Sequence, residues 1–349
     1  MLRTIILALK KYNLLYDLTQ CQLYKLSSKK KLVSLLNLSS YAELTAILSV
    51  DNLYRVFPLG CKAKSRIVQV PSLRLLPLHN RIFTLLNKVK KPDYLHSGTK
   101  GRSHITNAVV HCGSKEAYTI DIQKFYPSVT KDKVIKFFRN TLKCEPDIAV
   151  ILANISTYDG HIPTGSSISQ MLAYFSCKNM FDALFDVSHE ANLKFTCFVD
   201  DLTFSGEKVS KAWIYDVAKP IITNSKMKSH KDKHFRPGQP KEITGVIVDG
   251  DAIKVCNRMH RSIHELTLQI AETENAYQLA DLYDSLVGKL CAAGQIEGHF
   301  KDQRIMVTKT RRRLNLPRRP QKTVTPCRLR TKPIVPLIDH TDTSCPWAE

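Results

Sequence analysis

The chain is 349 residues long, 43% hydrophobic and 24% charged, ordinary globular usage that excludes a wholly disordered, collagenous or fibrous protein. Its 52 Lys and Arg against 31 Asp and Glu leave a net charge of +21. A polyanion is therefore the expected partner, because each phosphate met by a cationic side chain releases condensed counterions and adds salt-sensitive affinity. The longest apolar runs, such as 148–152, fall far short of a membrane span, and the opening residues lack the apolar length and small-residue site of a secretory leader. The expectation is a soluble protein with no membrane partner. Ten scattered cysteines with no C-x-x-C pair predict neither a disulfide framework nor a zinc site, which suits a reducing, cytoplasmic setting.

Residues 1–53 read as an N-terminal helical region, from Leu7, Leu14, Leu15 and Leu18 and then Leu32, Leu35, Leu36 and Leu38. From Tyr54 to Val70 the pattern changes to short β-prone pieces around a basic turn that carries Lys62, Lys64 and Arg66. Apolar residues at a period near 3.6, from Leu75 to Leu86, then predict a helix that stops before Lys91-Pro92-Asp93. Next comes a β-prone run, 117–122, with Asp121 at its end, an aromatic turn Phe125-Tyr126-Pro127-Ser128, and a helix over about 131–142. Between Lys194 and Gly206 two β runs, 195–199 and 202–205, flank only Asp200-Asp201, which predicts a tight hairpin. Two carboxylates at a hairpin tip defy ordinary turn chemistry and repel each other, and such local rule-breaking points to a site. Helix returns over roughly 257–295, and the segment 303–337 carries eleven Lys and Arg, five prolines and no acid. That segment cannot build a core; a solvated tail and a nucleic-acid-binding arm are both open, and compatible.

Asp121 and the Asp200-Asp201 pair are the residues that could carry chemistry. Carboxylates bridging two Mg²⁺ about 4 Å apart let one ion activate an attacking hydroxyl while the other stabilises a leaving phosphate oxygen. Because neighbouring strand side chains point to opposite faces, Asp200 and Asp201 cannot be equal ligands unless the turn re-aims one. The expectation is that Asp121 and Asp200 bridge the metals and Asp201 supports them. His230 and His234, four apart, could share a helix face as metal ligands, but no third ligand accompanies them.

Phe198-Val199-Asp200-Asp201, with its flanking β runs, resembles the catalytic hairpin of reverse transcriptases. Tyr118 to Val129 looks like that family's first catalytic motif, and Ile162 to Gln170 resembles its Pro-Gln-Gly-x-x-x-Ser segment, in the same order along the chain. Asn107-Ala108-Val109-Val110-His111 and Ile243-Thr244-Gly245 resemble elements of the bacterial retron branch. Thr164 stands where glutamine is usual, Phe198-Val199 where Tyr-Ala is usual, and Gln170 where proline is usual; none removes a metal ligand.

The resemblance implies an α+β right-hand polymerase. Its parts are fingers over 54–115, an antiparallel-sheet palm over 116–250, a helical thumb over 251–305, and a basic, proline-containing tail over 306–349. It implies two Mg²⁺ held around Asp121, Ile122, Asp200 and Asp201, with the three aspartates catalytic. It also implies deoxynucleoside triphosphate contacts by Lys64, Arg66, Tyr126, Thr164, Gly165 and Lys231, with Lys233 a rival for the last, and RNA contacts by Asn107, His111, Arg311, Arg312 and Arg313. Tyr126 would be the gate that rejects a ribose 2′-hydroxyl. Asn107 and His111 could instead be purely structural. The implied partners are a structured noncoding RNA that is both template and primer, an RNA–DNA hybrid product and an effector protein encoded nearby, within bacterial antiphage defence. Another bacterial reverse transcriptase, group II intron-like or of a non-retron defence type, and a catalytically silent RNA-binding protein remain alternatives.

Overall fold

A computed structural model describes residues 15–60 and 65–317. Two short helices open it, α1 (Lys29–Leu35) and α2 (Tyr41–Leu48), each started by a serine whose hydroxyl accepts a first-turn amide: Ser28 from Lys31, Ser40 from Glu43. A two-stranded antiparallel hairpin follows, β1 (Tyr54–Leu59) with β2 (Arg66–Pro71), exposed along most of its length and buried only toward its base. Then come α3 (Leu76–Asn87) and α4 (His104–Val109), the latter closed by Ser103 and Thr106 reaching back to each other's amides.

The next strand, β3 (Glu116–Ile122), leads into α5 (Phe125–Ser128), α6 (Lys131–Lys136) and a π turn, Phe137–Thr141. The helix expected over 131–142 is therefore present, its second half wound as a π turn. Helices α7 (Pro146–Ser156), α8 (Ser169–Ser176) and α9 (Lys178–Glu190) precede the hairpin β4 (Lys194–Phe198) and β5 (Asp201–Gly206). After α10 (Lys211–Trp213) and α11 (Lys219–Asn224) comes β6 (Ser229–Phe235). His230 and His234 lie on this strand, so the helix face they could have shared as metal ligands does not exist.

Four strands form one antiparallel sheet in the order β4-β5-β3-β6. The strand that bears Asp121 is central, so its position is set from both sides. Phe195, Phe204, Ile120 and Phe181 are among the buried side chains of the main core, which extends under α7 to α9. A second antiparallel sheet, β7 (Lys241–Ile243), β8 (Val246–Asp249) and β9 (Ala252–Val255), packs on α4 through Ala108, Ile243, Val246 and Val248.

Three helices complete the described chain: α12 (Asn257–Glu272), α13 (Ala276–Ala293) and α14 (His299–Arg313). Leu286, Leu290, Ala293 and Phe300 give them a small core of their own. Helix continues to Arg313, past the expected start of the tail at 306, so the first part of that segment does pack. No described helix is long and apolar enough to cross a membrane.

Candidate active site

Strands β4 and β5 are joined by two residues, Val199 and Asp200, with Phe198 paired to Asp201. The turn thus sits one residue earlier than the sequence suggested, and Asp201 is the first residue of β5. Val199 adopts φ 59°, a left-handed conformation that is a genuine outlier for a β-branched side chain. Such strain persists only where the surroundings over-determine it, and here they do. The Val199 amide donates to Ser97 Oγ at 3.0 Å, and the Ile122 amide donates to the Asp200 carbonyl at 2.9 Å. Further back, the Cys197 amide donates to the Tyr94 carbonyl and the His96 amide to that of Cys197.

The register pairs Asp121 directly with Asp201. Residues opposite each other in an antiparallel pair project from the same face, with Cβ atoms about 5 Å apart. The adjacent-residue objection is resolved by the turn, which takes Asp200 out of the strand's alternation. Burial raises the Asp200 pKa, with the Asp121 charge adding and Arg66 and Lys231 opposing. Asp201 is pushed up to about 6 by burial, then by Asp200 and Asp121. All three carboxylates therefore sit within electrostatic reach of one another in a half-buried place.

On the other side of β3, the register to β6 shifts between Thr119 and Asp121: Thr119 pairs with Lys233, but Asp121 with His230. The extra residue on β6 makes a bulge in which Lys231 has φ 55°, a common device for re-aiming a side chain beside a site. Lys231 Nζ lies 3.2 Å from Asp121 Oδ2, and His230 Nδ1 lies 3.4 Å from Oδ1. Asp232, next in the bulge, instead meets Lys219 and the Tyr118 hydroxyl. Lys233 is 3.5 Å from Glu242. The lysine that meets the carboxylates is Lys231.

Tyr126 is held above its ordinary range, at about 12, by burial and then by the Asp200 charge. Thr164 and Gly165 lie against β2. The Thr164 amide donates to Gln69 Oε1 at 3.1 Å, the Thr164 hydroxyl to the Ile67 carbonyl at 2.9 Å, and the Gly165 amide to the Gln69 carbonyl at 3.1 Å. A Cβ on Gly165 would stand 2.7 Å from Val68 Cγ1 and 2.8 Å from the Gln69 carbonyl. Only glycine fits there. Gln69 escaped the sequence reading because nothing marks a glutamine in a β run until its partner is known. Lys64 lies outside the described residues, whereas Arg66 begins β2 near enough for its charge to be felt by Asp200.

Two assignments need correction. Asn107 and His111, expected as RNA contacts, are fully buried and reach no surface. His111 bridges Ser205 Oγ at 2.6 Å and Thr196 Oγ1 at 2.7 Å, bracing β4 and β5 from behind. Asn107 Nδ2 donates to the Thr244 hydroxyl, which in turn donates to the His104 carbonyl, so the two short retron-like elements pack on each other. Arg311 is ion-paired to Asp284 at 2.7 Å, while Arg312 and Arg313 are exposed. The Ile122 side chain is a fully buried hydrocarbon, so any contact of this residue with a metal falls to its carbonyl oxygen.

Hard carboxylate oxygens under mutual repulsion are a donor set suited to a hard divalent cation. Among the described residues no group of three or more His, Cys, Asp or Glu is already gathered as a cage, and Asp121 is paired with Lys231 and His230. An open cavity of about 310 Å³ adjoins Asp121 and Asp201 and runs past Lys231 and Lys233 to Thr244 and Arg258.

A half-buried carboxylate set on an antiparallel sheet, with a lysine aimed at it, is chemistry suited to a divalent cation and a phosphate-bearing substrate. The comparisons make it more particular. No family model matches the chain. It is 25% identical to the Retron Se72 reverse transcriptase of Salmonella heidelberg, over 72% of this chain and 71% of that one. It is 24% identical to the Retron Ec86 reverse transcriptase of Escherichia coli, over 62% and 70%, and 27% identical to the Retron Ec48 reverse transcriptase of the same species, over 65% and 60%. A foamy viral protease-reverse transcriptase structure in complex with double-stranded DNA aligns with TM-score 0.41 and 15% identity, over 69% of this chain and 36% of that one. The chain resembles the retron reverse transcriptases across most of its length, and on that resemblance it is an RNA-directed DNA polymerase.

Proposed function

We propose that this polymerase copies a dedicated structured noncoding RNA into single-stranded DNA that stays joined to RNA, as part of a bacterial antiphage retron. In this reading β1 and β2 belong to the fingers, the four-stranded sheet is the palm and α12 to α14 are the thumb. The observation that carries it is the register of Asp121 on Asp201 beside the strained turn that presents Asp200.

Asp121, Asp200 and Asp201 would hold two Mg²⁺, whose chemistry when bound would be to lower the pKa of a primer hydroxyl and to offset the negative charge on a leaving pyrophosphate. The chain's own residues do the rest. Arg66, from the exposed hairpin, meets the triphosphate with a planar cationic fork. Thr164 and Gly165 seat the incoming nucleotide against β2. The Tyr126 ring, which feels the Asp200 charge, crowds a ribose 2′-hydroxyl and so favours deoxynucleotides. Lys231 keeps Asp121 paired before substrate arrives and is placed to hand a proton to pyrophosphate. The cavity between Asp201 and Arg258 gives room for the primer end, and RNA is gripped by shape, phosphates and 2′-hydroxyls.

The test is to purify the protein with its native locus, extract bound nucleic acid, and compare gel mobility before and after RNase and debranching treatment. A discrete DNA that shifts with both, and is lost in Asp200→Asn, is the expected result. Bound RNA without linked DNA would move the reading to another bacterial reverse transcriptase or to a silent RNA-binding protein, and primer extension would separate those two.

A further inference from the structure

Away from the carboxylates, two open cavities share Lys133 and Lys136 of α6 in their walls. The first, about 270 Å³, lies between the start of α6 and the end of α11, where Lys226, in a left-handed conformation with φ 55°, adds a third ammonium. Ser128, Thr130, Asn224 and Ser225 complete a polar wall, and Asp132 is its one acid. The second, about 190 Å³, has a different character. The nearly buried rings of Phe137 and Phe175 give it an apolar side, and Asn140 and Asn179 give it amides. The Ser176 hydroxyl, also in its lining, is buried without a hydrogen-bond partner. The π turn Phe137–Thr141 supplies part of this rim, and π turns recur at functional sites.

These features do not suit a merely solvated face. Lys133 spends one proton on the Ser128 carbonyl at 2.9 Å and keeps two to donate. Burial lowers its pKa, with Cys177 opposing and the Lys226 charge adding, and three lysines face one acid in this cavity. Beside it stands a slot with an apolar wall, amide edges and an unpaired hydroxyl, the complement of a nucleobase, which has flat apolar faces and a hydrogen-bonding rim. We propose that the two neighbouring cavities are a second nucleotide site, taking a phosphate between Lys133, Lys136 and Lys226 and its base against Phe137, Phe175 and Ser176. The ligand is a phosphorylated nucleotide unit, either free or an unpaired residue of an RNA strand. The site shares no residue with the carboxylate centre, so it stands or falls apart from the reading given above.

The test uses the full-length protein in chelator, so that magnesium-dependent binding is silent. Calorimetry follows 5′-AMP, adenosine and inorganic phosphate; anisotropy follows a short labelled RNA, unpaired or in a duplex. Variants are K136E/K226E, S176L to fill the base slot, and K208E/K211E as a charge-matched control at exposed lysines. The expected result is saturable 5′-AMP binding, with adenosine and phosphate each about tenfold weaker or more, since each lacks one half of the contacts. K136E/K226E and S176L should both weaken 5′-AMP by about tenfold or more, and the control by less than about twofold, because a remote exposed pair is largely screened. Unchanged melting temperature and primer extension in the variants would show that they fold. Displacement of the unpaired RNA by 5′-AMP names RNA as the source, and 5′-AMP binding that leaves RNA untouched names the free nucleotide. Absence of saturable 5′-AMP binding, phosphate binding as well as 5′-AMP, or equal weakening by the control pair would overturn the proposal.

Discussion

The two hairpins of this protein are built to opposite ends. In β4–β5 the connection is two residues, the strands are buried, and amides from Val199 and Ile122 fasten the turn to Ser97 and to the sheet itself. In β1–β2 the connection runs from Gly60 to Ser65, and Val56, Leu59 and Ile67 are 44%, 61% and 53% exposed. One of its two strands is anchored, β2, by Ile67 and Gln69 on Thr164 and Gly165, and the base is held by the Tyr54 hydroxyl near His79. Each base is braced by a buried histidine: His111 behind β4–β5, and His79 between Ser166 and the Ile155 carbonyl below β1–β2. The hairpin with the carboxylates is fastened on every side, and the hairpin with the cationic side chains is held along β2 while most of its outer half stays exposed to solvent. Chemistry requires fixed geometry, whereas capture of a substrate requires an arm that can close.

The sharpest way to break this contrast is at the fixed hairpin. Asp200→Asn should lower primer-extension rate by about a thousandfold or more, about 4 kcal/mol at the usual conversion, while its melting temperature holds or rises because one of three crowded charges is gone. Gly165→Ala acts on the free hairpin through its fulcrum. The added carbon must push β2 outward, at about 1–3 kcal/mol, so steady-state kinetics should show KM for deoxynucleotides rising about tenfold and kcat falling less. Ser97→Ala removes the brace on the Val199 amide; denaturant unfolding should report a loss of about 1–2 kcal/mol.

Acid gives a gentler comparison. Burial first holds His111 at about 3 and His79 at about 4 in the folded protein, against about 6.5 when unfolded. Below about 6.5 the unfolded chain takes up protons that the folded one refuses, so stability falls as pH drops, at up to about 1.4 kcal/mol per histidine per pH unit, and levels off near the folded values. Melting curves from pH 7 to pH 4 should show this, and His111→Gln should flatten part of the slope. The smallest effect belongs to the exposed pair: Arg312→Ala with Arg313→Ala should lower the salt slope of RNA binding by at most about two.

Much of the carboxylate site could be read from the sequence because its signals are local. Asp121 closes a β-prone run, and two acids stand where a turn wants Gly or Asn, so strand, turn and charge conflict within a few residues. The parts that escaped depend on pairing. The left-handed Val199 moved the turn by one residue, and nothing short of the register reveals that Asp201, rather than Asp200, lies opposite Asp121. The bulge that turns Lys231 onto Asp121 is equally invisible, since a run of alternating His and Lys looks as much like a helix face as a strand. Asn107 and His111 misled for the opposite reason. They are conspicuous polar residues, but their partners Thr196, Ser205 and Thr244 lie far along the chain, so a buried brace looked like a surface contact.

The place of β3 between β5 and β6 has a consequence for how the molecule comes into being. Asp121 pairs with Asp201 on one side and with His230 on the other, so the strand is synthesised long before either neighbour exists. Until then both of its edges are open and its apolar side chains unsheltered, the state in which nascent chains associate wrongly. Pairing across such separations is slow. The centre thus assembles late, once β6 has left the ribosome, and a chain cut short before residue 229 would carry all three aspartates and still lack the strand that flanks Asp121 on its second side.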